Sequence, residues 1–522
     1  MSIDALERLT FGAKRADIDA VQKNGLTAWI QEQLHPKQED PVLDEVLRTA
    51  VLKMQYGASE DWGAVNEYRP LGTLQKTTQE LWSLTDGQNK MHYAERIRPL
   101  NELQVARTLR AVYSKWQTQE LMVDFWHNHF NVHAGDASIA VAMPTFERDC
   151  IRQHCLGNFA QMLSGVAQST PMLIFLNNRS SRTGAPNENF ARELFELHTL
   201  GKQHYLNDLY SKWKQVPGAD KGAPKGYIDQ DVYEAARAFT GWVIEDGRGL
   251  GGNTQLPKTG QFTYLETWHD PYQKRVLAQD FDPFSPAMAD GKKVLALLAE
   301  HPGTAYHLCE KLCRRFVADT PPNSLVTSSA KVWQDNSKHP EQIARVLAHM
   351  FASQEFNQAL KSPNGKKLKR PLELAASFVR KLELPFAPSM GLVNEMQNTG
   401  QRLYLWPTPD GHPDVTEFWL TTQTMRRRWM FPWALMDNWW ATGVISPEHL
   451  SKGFAQPLDE IALLKHHGQL LIGPTKFNEM WPALAQTLNI PNKRILGADN
   501  GEFNNLRHTL AYVGMSPAFQ WK

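Results

Sequence analysis

The chain has 522 residues, of which 42% are hydrophobic and 21% charged, and its 56 basic and 55 acidic side chains leave a formal net charge of +1. This composition is typical of a globular protein and excludes a disordered or collagen-like chain. Because the charge is balanced and no arginine-rich stripe is present, a nucleic-acid-binding protein is not expected. No run of about 18 apolar residues occurs, so we expect no membrane span.

Apolar residues recur at helical spacing along most of the chain, whereas the alternation typical of strands is scarce. We therefore predict an all-α fold, a large multi-helical body with long loop insertions and little or no β-structure. The predicted helices, in chain order, cover residues 16–34, 101–130, 187–200, 229–242, 292–300, 304–319, 341–356 and 371–382. Polar or glycine-rich stretches at 203–226, 245–262 and 279–291 are predicted as loops.

These loops indicate a division of the chain near residue 290. We predict an N-terminal helical region, residues 1–290, with most of the unusual polar motifs, and a C-terminal helical region, residues 291–522, packed with it as one body. The N-terminus lacks the basic and apolar segments of a secretory signal, so the chain as given is expected to be cytoplasmic. Removal of a leader would instead make it a periplasmic or exported protein.

The first polar motif is DFWHNHFNVHAGD, residues 124–136, with three histidines in seven positions. On a continuous helix, His127 and His129 point about 200° apart and cannot hold one metal ion. His129 and His133 share a helix face and could bind one ion together. If the helix instead ends near His127, the imidazoles of His127 and His129 can converge.

The second motif, PNENFARELFELHTLG at residues 186–201, places Glu193 and Glu196 on one helix face with Asn189. Two carboxylates three residues apart repel each other unless a cation or a shared proton lies between them. That cost indicates a site, in which the pair binds a metal ion or acts as acid and base. An ion-pair network, with Arg192 pairing to Glu196, explains the same residues without any function.

The third motif is FTYLETWHDPYQKRVL, residues 262–277, in which His269 and Asp270 follow Trp268. A His–Asp dipeptide is weak evidence of a site, because aspartate often caps a following helix. It becomes a catalytic candidate if this loop lies over the first two motifs. The 17 tryptophans of the chain fit a thick helical core, and they also fit a groove that stacks sugars or other flat ligands.

Several well-marked enzyme classes are excluded because their motifs are absent. The sequence has no GxSxG, HExxH, P-loop or dinucleotide-binding fingerprint, and its four cysteines form no CxxC. Imidazoles and carboxylates without thiolates suit zinc, manganese or iron. Such an ion could acidify a bound water molecule, with a remaining carboxylate or histidine as the base.

Together with these motifs, the strings LERLTFGAKRADIDAV, YIDQDVYEAARAFTGW, KRPLELAASFVRKL and SPAFQWK resemble the bacterial family called domain of unknown function 1800. The resemblance implies a largely helical and frequently exported protein whose biochemical function is unassigned. It also implies a partner from a neighbouring exported family related to sulfatases and alkaline phosphatases. In that pattern His133 and His198 stand where other residues are common, which favours the pair of His127 and His129.

Three functions are compatible with these observations. The first is a metal-dependent hydrolytic or oxidative enzyme acting on a polymeric or small-molecule substrate, with zinc, manganese or iron bound by His127, His129, Glu193 and Glu196. Its predicted catalytic residues are Glu193, Glu196, Arg192, His269 and Asp270, and its predicted substrate-binding residues are Trp126, Asn189, Trp242 and Trp268. The second is a metal-free hydrolase or lyase on a polysaccharide, using the two glutamates. The third is a non-catalytic accessory or assembly protein for an exported enzyme.

Overall fold

The computed structural model describes residues 2–37, 39–440, 443, 445–454, 458–491 and 500–522. Helices make up 59% of the residues and strands 8%, so the predicted all-α class is confirmed. Four small two-stranded antiparallel sheets accompany the helices in the described ranges. None of the helices in those ranges is long and apolar enough to cross a membrane.

The helices of the first half are mostly short. They are α1 (Ser2–Leu9), α2 (Arg15–Asn24), α3 (Leu26–Leu34), α4 (Pro41–Thr49), α5 (Thr78–Leu81), α6 (Tyr93–Arg96), α7 (Arg98–Tyr113), α8 (Gln117–His129), α9 (Ala137–Ala140), α10 (Met143–Thr145), α11 (Phe159–Ala167), α12 (Thr170–Phe175), α13 (Glu188–Glu193) and α14 (Asp229–Ala238). Two π-helices, Phe146–Arg152 and Leu194–His198, continue α10 and α13. Such wide turns are rare and occur frequently at functional sites.

The helices of the second half are longer. They are α15 (Ala289–Glu300), α16 (Pro302–Phe316), α17 (Asn323–Asp335), α18 (Gln342–Ala352), α19 (Gln354–Lys361), α20 (Pro371–Lys381), α21 (Met390–Asn398), α22 (Thr416–Trp419), α23 (Thr422–Met436), α24 (Pro447–Ser451), α25 (Glu460–Ile472), α26 (Pro474–Thr487), α27 (Asn500–Met515) and α28 (Pro517–Gln520).

The strands form four antiparallel pairs in the described ranges. The pairs are β1 (Val51–Tyr56) with β2 (Val65–Pro70), β3 (Trp242–Asp246) with β6 (Lys258–Tyr264), β4 (Gly249–Gly251) with β5 (Thr254–Gln255), and β7 (Lys274–Val276) with β8 (Gln279–Phe281). The stretch 245–262, predicted as a loop, is therefore largely a hairpin. Its glycines supply the turn, since Gly251 and Gly252 have positive φ angles of 104° and 57°.

The two longest predicted helices are each divided. Residues 16–34 form α2 and α3, which are separated by Gly25 with a φ of 84°. Residues 101–130 form α7 and α8, which meet at Ser114 in an extended conformation. The hydroxyl of Ser114 accepts a hydrogen bond from the backbone N–H of Trp116 at 3.0 Å, a local bond that competes with helix continuation.

One hydrophobic core extends from Ala5 to Phe519 and includes buried side chains from both halves of the chain. Arg8 ties distant segments together, because its buried guanidinium donates hydrogen bonds to the backbone carbonyls of Phe316, Val317, Gly365 and Lys522. The division near residue 290 stays a prediction.

Helix α8 packs against α3, α7 and the π-helix Phe146–Arg152, and its middle turns are buried on every face. Its polar side chains must therefore find partners inside the protein.

Candidate active site

Helix α8 remains regular through His129, and the backbone N–H of Phe130 still donates to the carbonyl of Trp126 at 2.8 Å. The helix does not end near His127, which was the condition for the two imidazoles to converge. Residues two apart on a helix lie on opposite sides, and the two side chains accordingly have different neighbours. Each faces one of the two π-helices.

His127 lies against a buried glutamate of the π-helix Phe146–Arg152. Its Nε2 is 3.3 Å from Oε2 of Glu147, and the same oxygen accepts a hydrogen bond from the hydroxyl of Tyr404 at 2.5 Å. Burial lowers the pKa of His127 despite the nearby carboxylate. Burial alone would raise the pKa of Glu147, but His127 and Arg152 outweigh it and hold that pKa well below its ordinary value. The glutamate is therefore ionised.

His129 lies against the second π-helix and against α16. Its Nε2 is 3.1 Å from the carbonyl oxygen of His198, so this nitrogen carries the proton and donates. Its Nδ1 then accepts a hydrogen bond from Nζ of Lys311 at 2.9 Å. Burial, followed by the charge of Lys311, lowers the pKa of His129 well below 6.5, so the imidazole is neutral.

Glu193 and Glu196 have separate environments. Glu196 pairs with Nζ of Lys202 at 3.0 Å, whereas no ion pair within 4 Å involves Glu193 among the residues that the structure describes. Burial and then the charge of Glu196 raise the pKa of Glu193. Arg192 pairs with Glu188 and Asp229, not with Glu196.

The four predicted metal ligands do not form one group. Both ring nitrogens of His129 are hydrogen-bonded, and His127 faces Glu147 on the other side of α8. Across the described ranges, no three histidine, cysteine, aspartate or glutamate side chains are grouped so that they could hold a metal ion. The predicted quartet therefore does not fit a divalent metal in this arrangement.

His269 and Asp270 belong to a different network, between the end of α14 and the start of α15. Nδ1 of His269 donates to the carbonyl of Thr240 at 3.0 Å, and its Nε2 is 3.4 Å from Asp290. Asp270 accepts two hydrogen bonds from Arg237, at 2.8 and 3.0 Å. These contacts hold the loop that follows β6 and do not place either residue beside His127 or His129.

The predicted substrate-binding residues have unequal access to solvent. Trp126 and Trp242 are fully buried, and the indole of Trp126 donates to the carbonyl of Cys155 at 2.9 Å, so both are core residues and not stacking platforms. Trp268 is partly exposed between the guanidinium groups of two arginines, each 5.7 Å from its ring. Asn189 is exposed on the first turn of α13.

A cavity of about 280 Å³, hereafter the ligand cavity, lies beside His129. Its walls come from α8, α16, the residue that precedes α20 and the loop before α22: Phe125, Asn128, His129, Lys311, Arg314, Arg315, Arg370, Asp410, Gly411, His412, Pro413 and Asp414. A smaller cavity of about 40 Å³ lies next to it and includes His127 and Tyr404 in its lining. Asn128, Arg370 and His412 line both cavities.

Four cationic side chains line the ligand cavity, and three of them have carboxylate partners. The pairs are Arg314 with Glu310, Arg315 with Glu373, and Arg370 with Asp124. Lys311 differs, because no carboxylate lies within 4 Å of its Nζ in the part of the chain that the structure describes. Its charge therefore has no direct counter-ion.

Arg370, which lines the ligand cavity, also has a buried donor without a partner among the described residues. Its side chain is 4% exposed, and its Nε has no hydrogen-bond partner within the described ranges. A buried donor without a partner costs free energy unless something else accepts its hydrogen bond.

The loop of residues 405–414 is bound to the end of α8 and contributes its last five residues to the lining of the ligand cavity. Asn128 accepts a hydrogen bond from the backbone N–H of His412 at 2.8 Å and donates to its carbonyl at 2.9 Å. Asn131 donates to two loop carbonyls, those of Trp406 and Thr408. Gly411 has a φ of 73°, and a Cβ there would lie 2.1 Å from the backbone oxygen of Asn128. The two asparagines of the first motif thus hold this loop.

The sequence interpretation missed the residues of α16 and of the loop. One signal for them was present, since Lys311, Arg314 and Arg315 are spaced i, i+3 and i+4 on one helix face, where like charges repel. The same like-charge repulsion marks Glu193 and Glu196 in the second motif. No comparable signal indicated that the loop would lie beside α8.

A family model described as "Protein of unknown function (DUF1800)" matches residues 4–521. This match confirms the resemblance predicted from the motifs. No curated protein and no solved structure matches the chain.

Proposed function

The chain belongs to the DUF1800 family, and because this membership specifies no reaction, we propose from the site geometry that it is an enzyme acting on a small anionic substrate. The substrate occupies the ligand cavity and meets Lys311 and the neighbouring arginines. The observation that carries the proposal is the half-buried Lys311, which lines the cavity, donates from Nζ to a neutral histidine and has no carboxylate within 4 Å of Nζ in the described chain. An anion bound there would supply the absent counter-ion.

Glu193 adds a group that can transfer protons. Its raised pKa increases the fraction that is protonated near neutral pH, as a general acid requires. Asp410, which lines the ligand cavity, acts electrostatically on both Glu193 and Lys311, so the two groups belong to one electrostatic environment. These observations favour metal-free chemistry, as in the second predicted function, but on a small anion in place of a polysaccharide and with Glu193 alone as the acid.

Calorimetric titration with small anions tests the proposal. Acetate, lactate, phosphate, sulfate and citrate are titrated into the parent protein, into Lys311→Met and into Lys331→Met, whose lysine is 75% exposed. We expect at least one anion to bind the parent and the Lys331 variant equally, and to bind Lys311→Met at least tenfold more weakly. Equal binding by all three proteins, or no binding to the parent, would contradict the proposal.

The metal-dependent enzyme stays a prediction with its own test. Elemental analysis of the parent beside the His127→Ala/His129→Ala double variant decides it, because near-stoichiometric metal that is lost in the folded variant would support a metal site. Anion binding without turnover of any substrate would instead favour the accessory role. The compartment and the partner protein also stay predictions.

A further inference from the structure

Lys311 presents an amine to the ligand cavity, and not only a positive charge. Its Nζ donates to Nδ1 of His129, while Nε2 of that imidazole donates to the carbonyl of His198. The imidazole can therefore only accept from the lysine, and this contact fixes the position of the amine. A lysine whose sole role is charge would be as well served by a carboxylate partner, which the three arginines of the cavity have.

The surroundings of Lys311 favour the uncharged amine. Burial and then the charge of Arg314 lower the pKa of Lys311 to about 8. Desolvation and neighbouring cations are the two means by which proteins make a lysine nucleophilic. Asp410 and Asp414 oppose this effect from the loop, but neither comes within 4 Å of Nζ.

We infer that Lys311 is a nucleophile that forms an imine with the carbonyl carbon of a 2-oxo acid bound in the ligand cavity. This inference rests on the proposed function, because the same cavity must first hold the anionic substrate. Arg314, which lines the same cavity one turn further along α16 and has a side chain that is 31% exposed, provides the second contact such a substrate needs, since its guanidinium has donors beyond the one that binds Glu310.

The step balances without a further reactant. The lone pair of the neutral Lys311 nitrogen attacks the carbonyl carbon, a C–N bond forms, and the carbonyl π electrons move to oxygen. That oxygen takes up a proton, and the nitrogen releases one. The hydroxyl then leaves as water after a second protonation, and the nitrogen lone pair completes the C=N bond. His129 does not touch the substrate in this scheme and is a positioning residue.

Reductive trapping tests the inference. The parent, Lys311→Arg and Lys331→Arg are incubated with pyruvate or 2-oxoglutarate and cyanoborohydride, and adducts are located by intact mass and peptide mapping. We expect one adduct on Lys311 that forms at least tenfold faster than adducts on exposed lysines. Lys311→Arg should lose it and Lys331→Arg should keep it. Lactate, which has the carboxylate but no ketone, should slow its formation.

Two further results separate the possible failures. Adducts on exposed lysines only, with pyruvate still bound in calorimetry, would overturn the imine and leave the proposed function standing. No binding of any anion would overturn both.

For the positioning role, His129→Asn, which keeps an acceptor near the position of Nδ1, should restore trapping relative to His129→Leu at equal thermal stability. Equal rates in the two variants would assign His129 a structural role only.

Discussion

The replacement Lys311→Met should make the protein more stable at neutral pH, although it removes a residue of the proposed site. Methionine has a similar length and no charge, so it fills the same space without a half-buried ammonium that lacks a counter-ion among the described residues. Replacing a residue of a functional site often stabilises a protein, because such residues are retained for function although they destabilise the folded state.

The magnitude follows from the pKa of Lys311. Its decrease from 10.5 to about 8 corresponds to roughly 3 kcal/mol of destabilisation when the lysine is charged in both states. The replacement also leaves Nδ1 of His129 without a donor, which costs about 1–2 kcal/mol. We therefore expect a net increase in the free energy of unfolding of about 1–2 kcal/mol near pH 7.

The difference in stability between Lys311→Met and the parent should depend on pH in a defined direction. A lysine with a depressed pKa destabilises the folded protein fully below about pH 8, and the penalty disappears as the pH rises to 10.5. The advantage of Lys311→Met should therefore shrink over that range. Guanidinium unfolding followed by tryptophan fluorescence at both ends of the range measures it, with Lys331→Met as the control. A variant that is less stable than the parent near pH 7, or a difference that does not change with pH, would refute the reasoning.

Three other replacements test separate parts of the structure. Asp124→Asn removes a carboxylate shared by buried arginines and should lower the free energy of unfolding by about 3–5 kcal/mol in chemical unfolding. Its control is Asp19→Asn, in an exposed i,i+4 pair, which should change the free energy of unfolding by less than about 1 kcal/mol. Burial lowers the pKa of His198 to about 3, so the free energy of unfolding of the parent falls as the pH falls from 6.5 toward 3. In chemical unfolding, His198→Leu should reduce this dependence on pH by about 1.4 kcal/mol per pH unit. Gly411→Ala forces a Cβ into the end of α8 and should weaken anion binding several-fold in calorimetry, while Gly249→Ala, with no atom within 4 Å of the added carbon, should leave it unchanged.

The helical class could be predicted because helical periodicity is a local property of the sequence. The breaks within the predicted helices were harder to foresee, since they depend on one backbone conformation at Gly25 and one side-chain hydrogen bond at Ser114. The hairpin after α14 was missed for a similar reason. Its many glycines are typical of a loop, and only the pairing of β3 with β6 turns them into strand residues and turns.

The candidate site could be predicted only in part. The first motif drew attention to α8, where Asn128 lines both cavities, His129 lines the ligand cavity, and His127 and Asn131 line the smaller one. What the sequence could not supply was the partner of each imidazole. Lys311 is 182 positions from His129, and Glu147 reaches His127 from a π-helix that no periodicity indicates. A metal site inferred from spacing alone therefore combined side chains that the structure separates.

The π-helix Leu194–His198 has a consequence for how sequences of this kind can diverge. A π-helix arises when one residue is inserted into an α-helix, so deleting one residue restores the tighter winding. Each residue of an α-helix turns the chain by about 100°, so the deletion would rewind the residues between the deleted position and the end of the segment relative to α13. Such a deletion before His198 would keep the helix, yet it would move the carbonyl of His198 away from His129. A single-codon deletion in this segment would thus alter the chemistry of the ligand cavity, although every side chain that lines the cavity is still present.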